Sequence, residues 1–302
     1  MNMGIGHPIV CVAKPSGDIR MCLDLRYVNS GTIGDKYPMK RMDDLLNDFG
    51  GANFLTSLDA TQGFYQIPMD ENSIPLTSFV THRGQYENMY TPFGLKCASQ
   101  SFQRAMDKIL FPHSKYAGAY IDDICCHTVG SFEEHLCKLD LVLSAIWMTL
   151  KLSKCKFAKE KLLYVGHIIG QGTITPNPEK VKALVNLPEP TTKKGVRSIL
   201  AMFRYYHMHI AHFSEIALPL TELTKMRHAN AFKLNAEQSA AFQCLKDSLV
   251  EATERYVPRY DRSFIIRCDA SEKAVAASLS QIDDRNVERP VAFAFEGGLE
   301  SY

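Results

Sequence analysis

The sequence predicts an α+β fold, on three observations. Short β-branched and aromatic runs alternate with helical periodicities along most of the chain. Two apolar runs, Ala117 to Ile121 and Ile124 to Cys126, flank the acid pair Asp122-Asp123 and read as a β-hairpin with the acids at its tip. Three further strand-like runs, Phe264 to Cys268, Lys273 to Ser280 and Pro290 to Phe295, follow a helical stretch and imply a separate small β-rich unit. The 302 residues suffice for two or three domains, and 46% hydrophobic with 22% charged residues is ordinary globular composition, which excludes a disordered chain.

The elements follow in order. Strands from Pro8 to Lys14 and from Ile19 to Leu25 flank the turn Pro15-Ser16-Gly17-Asp18. Pro38 starts a helix with Met42, Leu45, Leu46 and Phe49 at helical spacing, and Gly50-Gly51 stops it. Asp43 and Asp44 fall in that helix's first turn, where carboxylates favour the dipole. Phe54 to Leu58 is a strand ending at Asp59. Pro75 to Thr81 and Gln85 to Tyr90 form a hairpin about Arg83-Gly84. Ser99 caps a helix with Phe102, Met106, Ile109 and Leu110 on one face. After the acidic hairpin, Ser131 and Glu134 have capping-box spacing before an apolar stripe of Phe132, Leu136, Leu139, Leu143 and Ile146. A strand from Leu162 to Ile169 precedes helices near 178–186, with Pro178 at its start, and 193–209. Asn235 caps a last helix through Val250 with Phe242, Leu245 and Leu249 inward.

The net charge of +1 hides an uneven distribution: residues 151–210 carry 11 Lys and Arg against 3 acids. A basic segment beside an acidic site suits a polyanionic ligand whose chemistry needs metal. Nine cysteines, without C-x-x-C or framework spacing, read as reduced thiols in an intracellular compartment. His127, His135 and Cys137 lack zinc-finger spacing, and His207, His209 and His212 read as helix residues. Neither an apolar run of membrane-spanning length nor a secretory leader is expected. Three carboxylates on strand ends, Asp59 with Asp122 and Asp123, are the usual inventory for two-metal phosphoryl transfer, in which one metal activates a hydroxyl and the other stabilises the leaving group.

Seven ordered blocks carry a resemblance. They are MCLDLRYVN (21–29), SLDATQGFYQIPM (57–69), TPFGLKCASQSFQR (91–104), YIDD (120–123), LSKCKF (152–157), YVGHII (164–169) and RSILAMFRYY (197–206). Together the chain resembles reverse transcriptases of Gypsy-type long-terminal-repeat retrotransposons. The resemblance implies a right-hand polymerase, with fingers and palm over 1–170 and thumb and connection helices over 171–255. The incomplete N-terminal part of a ribonuclease H-like domain would fill 256–302. It implies an RNA-directed DNA polymerase that adds dNTPs to a primer 3′-OH on an RNA or DNA template, primed by DNA or tRNA. Protease and integrase parts of the polyprotein would lie outside this chain. Such an element works in the cytoplasm, in a virus-like particle, or in the nucleus.

By the same resemblance Asp59 and Asp122 ligate two magnesium ions, with manganese as the alternative, and Asp123 is the third carboxylate. Lys154 protonates pyrophosphate. Lys14 and Arg20 bind the triphosphate, Phe64 is a steric gate against the ribose 2′-OH, and Phe93 and Gly94 pack under nucleotide and template base. Arg26 and Asn29 lie near the template, and Gly166 and His167 form a primer-grip hairpin. Asp269 matches the first carboxylate of a ribonuclease H site whose other acids would lie beyond Tyr302, so ribonuclease H activity is not expected. The departures are Thr149, Leu187, Arg204, His207 and Cys125-Cys126-His127. They keep one alternative open, a decayed or domesticated relic that binds nucleic acid without turnover. A metal-dependent nuclease would have no use for the Phe64 gate or the finger cations.

Overall fold

The computed structural model describes residues 5–13, 17, 19–225, 229–251, 254–271 and 274–297. In chain order the elements are β1 (Ile9–Ala13), β2 (Ile19–Leu23), α1 (Arg26–Gly31), α2 (Met42–Gly50), β3 (Phe54–Asp59), β4 (Phe79–Thr81), β5 (Gly84–Tyr86), α3 (Ala98–Leu110), β6 (Ala117–Tyr120), β7 (Asp123–Thr128), α4 (Phe132–Ala145) and β8 (Lys156–Lys159). There follow β9 (Leu162–Tyr164), β10 (His167–Gly170), β11 (Thr173–Pro176), α5 (Pro178–Val185), α6 (Lys193–Arg204), α7 (Phe213–Glu222), α8 (Ala236–Val250), β12 (Arg255–Tyr256), β13 (Ile265–Ser271), β14 (Ala274–Ile282) and β15 (Glu288–Gly297). The chain divides into two compact units, one of Met1–Leu45 with Asn53–Glu160 and one of Leu46–Ala52 with Lys161–Tyr302.

The first unit is built on a four-stranded antiparallel sheet in the order β6-β7-β3-β8. Leu58, Ala119, Ile124 and Cys126 of this sheet bury together with Phe102 and Met106 of α3 and with Leu139 and Val142 of α4. Each such side chain contributes roughly 1.5–3 kcal/mol by leaving water, so this core fixes the strand ends that carry the acids. The α4 face differs from expectation. Phe132, Leu136 and Leu143 are exposed, whereas His135, Leu139 and Val142 are buried. The helix is rotated because His135 is satisfied inside: its Nε2 lies 2.8 Å from Thr56 Oγ1 and its Nδ1 3.0 Å from Thr128 Oγ1. Ser131 caps α4 by accepting from Glu134 N. Ser99 is no cap; α3 begins after Cys97, which makes no side-chain cap bond.

The second unit holds the sheet β12-β11-β10-β9, the antiparallel sheet β13-β14-β15, and a helical core with Val196, Phe203, Leu245 and Leu249 fully or nearly buried. The single strand expected over 162–169 is two strands, β9 and β10, because Val165 and Gly166 both take positive φ and reverse the chain. The helix expected to 209 ends at Arg204, and α7, with Pro219 inside it, was not foreseen. α8 has the expected Asn235 cap, with Gln238 completing a capping box. The predicted strand from Lys273 begins outside the described residues; β14 is described from Ala274. All nine cysteines are free thiols.

Candidate active site

The three carboxylates lie near one another where β3 ends and β7 begins. Asp59 and Asp123 are register partners on adjacent antiparallel strands, and Tyr120 pairs with Asp123 across the hairpin. The turn is therefore Ile121-Asp122, one residue earlier than the Asp122-Asp123 tip read from the sequence, and Asp123 opens β7. Ile121 has φ +55°, in the left-handed region that glycine adopts most readily. A β-branched residue there costs about 1–2 kcal/mol. Gln103, fully buried, offsets it: its Oε1 accepts from Ile121 N at 2.7 Å, and its Nε2 donates to Ala119 O and to Asp107 Oδ1, both at 3.0 Å. Gly63 lies against the same turn, where a Cβ would come within 3.1 Å of the Phe102 ring and 3.5 Å of Asp122 Cβ.

The loop after α4 is stitched to the end of β3. Lys151 N donates to Asp59 O at 2.8 Å, Thr61 N donates to Thr149 O at 2.9 Å, and Asp59 N donates to Cys155 Sγ at 3.4 Å. Gln66 mimics a strand partner for Thr149, accepting from its N at 2.7 Å and donating to its O at 3.0 Å. This arrangement delivers Lys154, whose Nζ donates to Asp59 Oδ2 at 2.9 Å. Burial, then the neighbouring Asp122 and Asp59 charges, push Asp123 up to about 6, against the pull of Lys154. Asp123 keeps solvent exposure, so water moderates the size of this shift without changing its direction.

Crowded carboxylates are the donor chemistry of a hard divalent cation. In this conformation, among the described residues, no group of three or more His, Cys, Asp or Glu side chains is placed to share one ion, and the Lys154 ammonium is the cation on Asp59. An ion bound by Asp59 Oδ2 would have to displace that ammonium.

Beside the acids lies a cavity of about 720 Å³ lined by Asp59, Asp122, Lys151, Lys154, Tyr65 and Phe93, with Ile19 and Met21 of β2. Phe64 is not on this wall. Its ring packs edge-on between Phe93 and Phe102, with both centroids 5.4 Å away, and Tyr65 stands in the cavity with Phe93 instead. Both aromatics lie on a 3₁₀ turn at Gly63–Gln66.

Of the remaining expected residues, Lys14 lies outside the described residues, and Arg20 is described as backbone only, paired with Val12. Arg26 is exposed and forms an ion pair with Asp24 at 2.5 Å, which holds the Asp24 carboxyl down at about 2. Asn29 clamps the loop that carries Gly94: its Nδ2 donates to Gly94 O and its Oδ1 accepts from Lys96 N, both at 2.8 Å. Gly94 itself sits at φ +99°. Gly166 is at the β9–β10 turn. His167 is only 3% exposed and packs against Tyr205, Tyr206 and His209, so direct nucleic-acid contact from its ring does not fit this burial. Asp269 is paired with Ala276 in β13, and its side chain lies outside the described residues. Gln103, Gln66 and Cys155 escaped sequence reasoning, since buried amides and thiols give no periodic signal.

Residues 12–169 match the family model described as reverse transcriptase (RNA-dependent DNA polymerase), and residues 234–296 match the RNase H-like domain found in reverse transcriptase. The chain is 38% identical over 274 residues to the Pol polyprotein from transposon 297 of Drosophila melanogaster, covering 89% of this chain and 26% of that protein. It is 34% identical over 278 residues to the Pol polyprotein from transposon gypsy of the same fly, covering 87% and 27%. It thus spans about a quarter of the length of these relatives. A foamy viral protease-reverse transcriptase solved in complex with double-stranded DNA superimposes with a TM-score of 0.86 over 98% of this chain and 52% of that one. At 23% identity this likeness shows the fold. The chain belongs to the reverse transcriptase (RNA-dependent DNA polymerase) family.

Proposed function

We propose that this chain is the polymerase core of a retrotransposon Pol protein, adding dNTPs to a primer 3′-OH on an RNA or DNA template. The observation that supports it is the pairing of Asp59 with Asp123, beside Asp122, at a cavity that Lys154 also lines. On this reading 1–170 are fingers and palm, 171–255 thumb and connection helices, and 256–302 a ribonuclease H-like unit. Magnesium or manganese ions, held by Asp59 and Asp122 with Asp123 beside them, would supply activation of the primer hydroxyl and stabilisation of the leaving pyrophosphate.

Asp59 and Asp122 place negative charge on the side of the cavity where the α-phosphate reacts. Lys154, a flexible point charge already in reach of Asp59, gives its proton to the pyrophosphate oxygen. Lys14 and Arg20 hold the triphosphate, and Tyr65 with Phe93 contacts the sugar and base, backed by Phe64. The test is dTTP incorporation by the purified chain on primed poly(rA) with magnesium. Incorporation is expected, and its absence with both magnesium and manganese would contradict the proposal.

A second reading, a nucleic-acid-binding relic without turnover, takes support from the departures at Thr149, Leu187, Arg204, His207 and Cys125-Cys126-His127. Gel-shift binding of primed template without incorporation by the same preparation would favour it.

A further inference from the structure

α4 leaves a row of its large apolar side chains in water. Phe132, Leu136 and Leu143, with Trp147 just past the helix end, are between 37% and 56% exposed. The row exists because α4 is turned about its axis to bury His135 on Thr56 and Thr128. Burying a polar ring in place of these side chains forgoes hydrophobic stabilisation of the fold itself. Helical spacing sets Phe132, Leu136 and Leu143 one above another on a single flank. Trp147 continues the row: the chain is extended from Ile146 onward, and Ile146 and Met148 are buried, so the residue between them is turned out. Four large side chains about half exposed amount to roughly 400 Å² of apolar surface, the size at which a patch marks an interaction site.

The order of the row selects its occupant. Its members are spaced by four, seven and four residues, a pattern that reads the same in both directions. An antiparallel second copy of α4 therefore sets Phe132 of each chain against Trp147 of the other, and Leu136 against Leu143. Each contact occurs twice, as a two-fold interface requires. With a polar rim, two such patches would bury about 1,000 Å², the low end for a specific pair. The charges disfavour other occupants. α4 carries Glu133, Glu134 and Asp140 against Lys138, which is itself paired with Glu134, so the helix suits neither nucleic acid nor an anionic lipid surface. Asp140 lies on the outer edge of the row, next to the two-fold axis, where it meets its own copy across solvent. We propose that the exposed row on α4 is a self-association surface, on which two copies of this chain pair with their α4 helices antiparallel.

The test is sedimentation velocity of the whole chain in reducing buffer, from about 1 to about 200 µM, with tryptophan emission read alongside. Trp147 is the chain's one tryptophan, so the emission reports this surface alone. Wild type should pass from monomer to dimer with a Kd on the order of 10 µM, and its emission should shift to the blue over the same range. Leu136→Gln/Leu143→Gln should weaken association tenfold or more and remove the shift. Its Tm should stay within about 3 °C of wild type, since both side chains already face water. Asp140→Asn should tighten association about threefold, because the two-fold pairing sets Asp140 against its own copy. A wild-type chain that stays monomeric at about 200 µM overturns the pairing. So does a dimer that Leu136→Gln/Leu143→Gln leaves intact, whose interface then lies elsewhere. Association that the double variant weakens but Asp140→Asn leaves unmoved overturns the antiparallel register, and assigns the row to another segment of the second copy. If the double variant fails to fold, the Asp140→Asn shift and the Trp147 emission still decide.

Discussion

The turn at Ile121-Asp122 is held through its N–H, the turn at Val165-Gly166 through its carbonyls. Both put a β-branched residue at positive φ, +55° for Ile121 and +39° for Val165. The first is braced by Gln103, a wholly buried carboxamide. The second is braced by two tyrosine hydroxyls, one of them on a side chain that is 42% exposed. Removing the buried carboxamide strands backbone groups where water cannot replace it, whereas water can replace a hydroxyl near the surface. The contrast teaches how each turn tolerates change. The turn that carries Asp122 is fixed by a buried brace, and the Val165-Gly166 turn in part by a brace nearer the surface.

The largest expected effect sits beside the first turn, at the end of β3. Asp59→Asn should slow single-turnover extension about a thousandfold or more, the scale of losing a metal ligand's transition-state stabilisation. A rate within tenfold of wild type would remove Asp59 from the reacting centre. Lys154→Ala should cost about a hundredfold in extension. Gln103→Leu should destabilise by about 1–3 kcal/mol in urea unfolding, and Tyr205→Phe alone by about 1 kcal/mol or less. Equal costs for the two would break the comparison between the turns.

The smallest effect sharpens the electrostatics of the first turn. The Asp123 carboxyl titrates at about 6, above its ordinary value, so its protonated form is the one folding favours. That favour is complete below about pH 4 and is lost as pH rises through 6. In metal-free buffer at pH 7, Asp123→Asn should therefore be more stable than wild type, on the order of 1 kcal/mol once solvent screening is allowed for. The gain should shrink toward pH 4, and magnesium should stabilise wild type more than the variant. A gain independent of pH would contradict the crowding of Asp122 and Asp59 around Asp123.

Much of this was legible in the sequence because its signals were local. Apolar runs on both sides of Asp122-Asp123 gave the hairpin, and Asn235 gave the α8 start. The one-residue shift of the acidic turn was not legible, since it depends on Gln103 bonding to Ile121 N from another element. The α4 stripe misled because burial of His135 rests on Thr56 and Thr128, which only the fold brings near. The β9–β10 reversal was hidden from the periodicity by a Val-Gly pair that reads as strand, although the resemblance implied a hairpin at Gly166 and His167. Tyr65, and not Phe64, lines the cavity because a 3₁₀ turn at Gly63–Gln66 decides which of two neighbouring rings faces it.

The most direct measurement is single-turnover dTTP incorporation on primed poly(rA) by the wild-type chain and by Asp122→Asn, each with and without magnesium. The account predicts magnesium-dependent incorporation by wild type and its loss in Asp122→Asn with primer binding intact. Equal incorporation by the two proteins would contradict it.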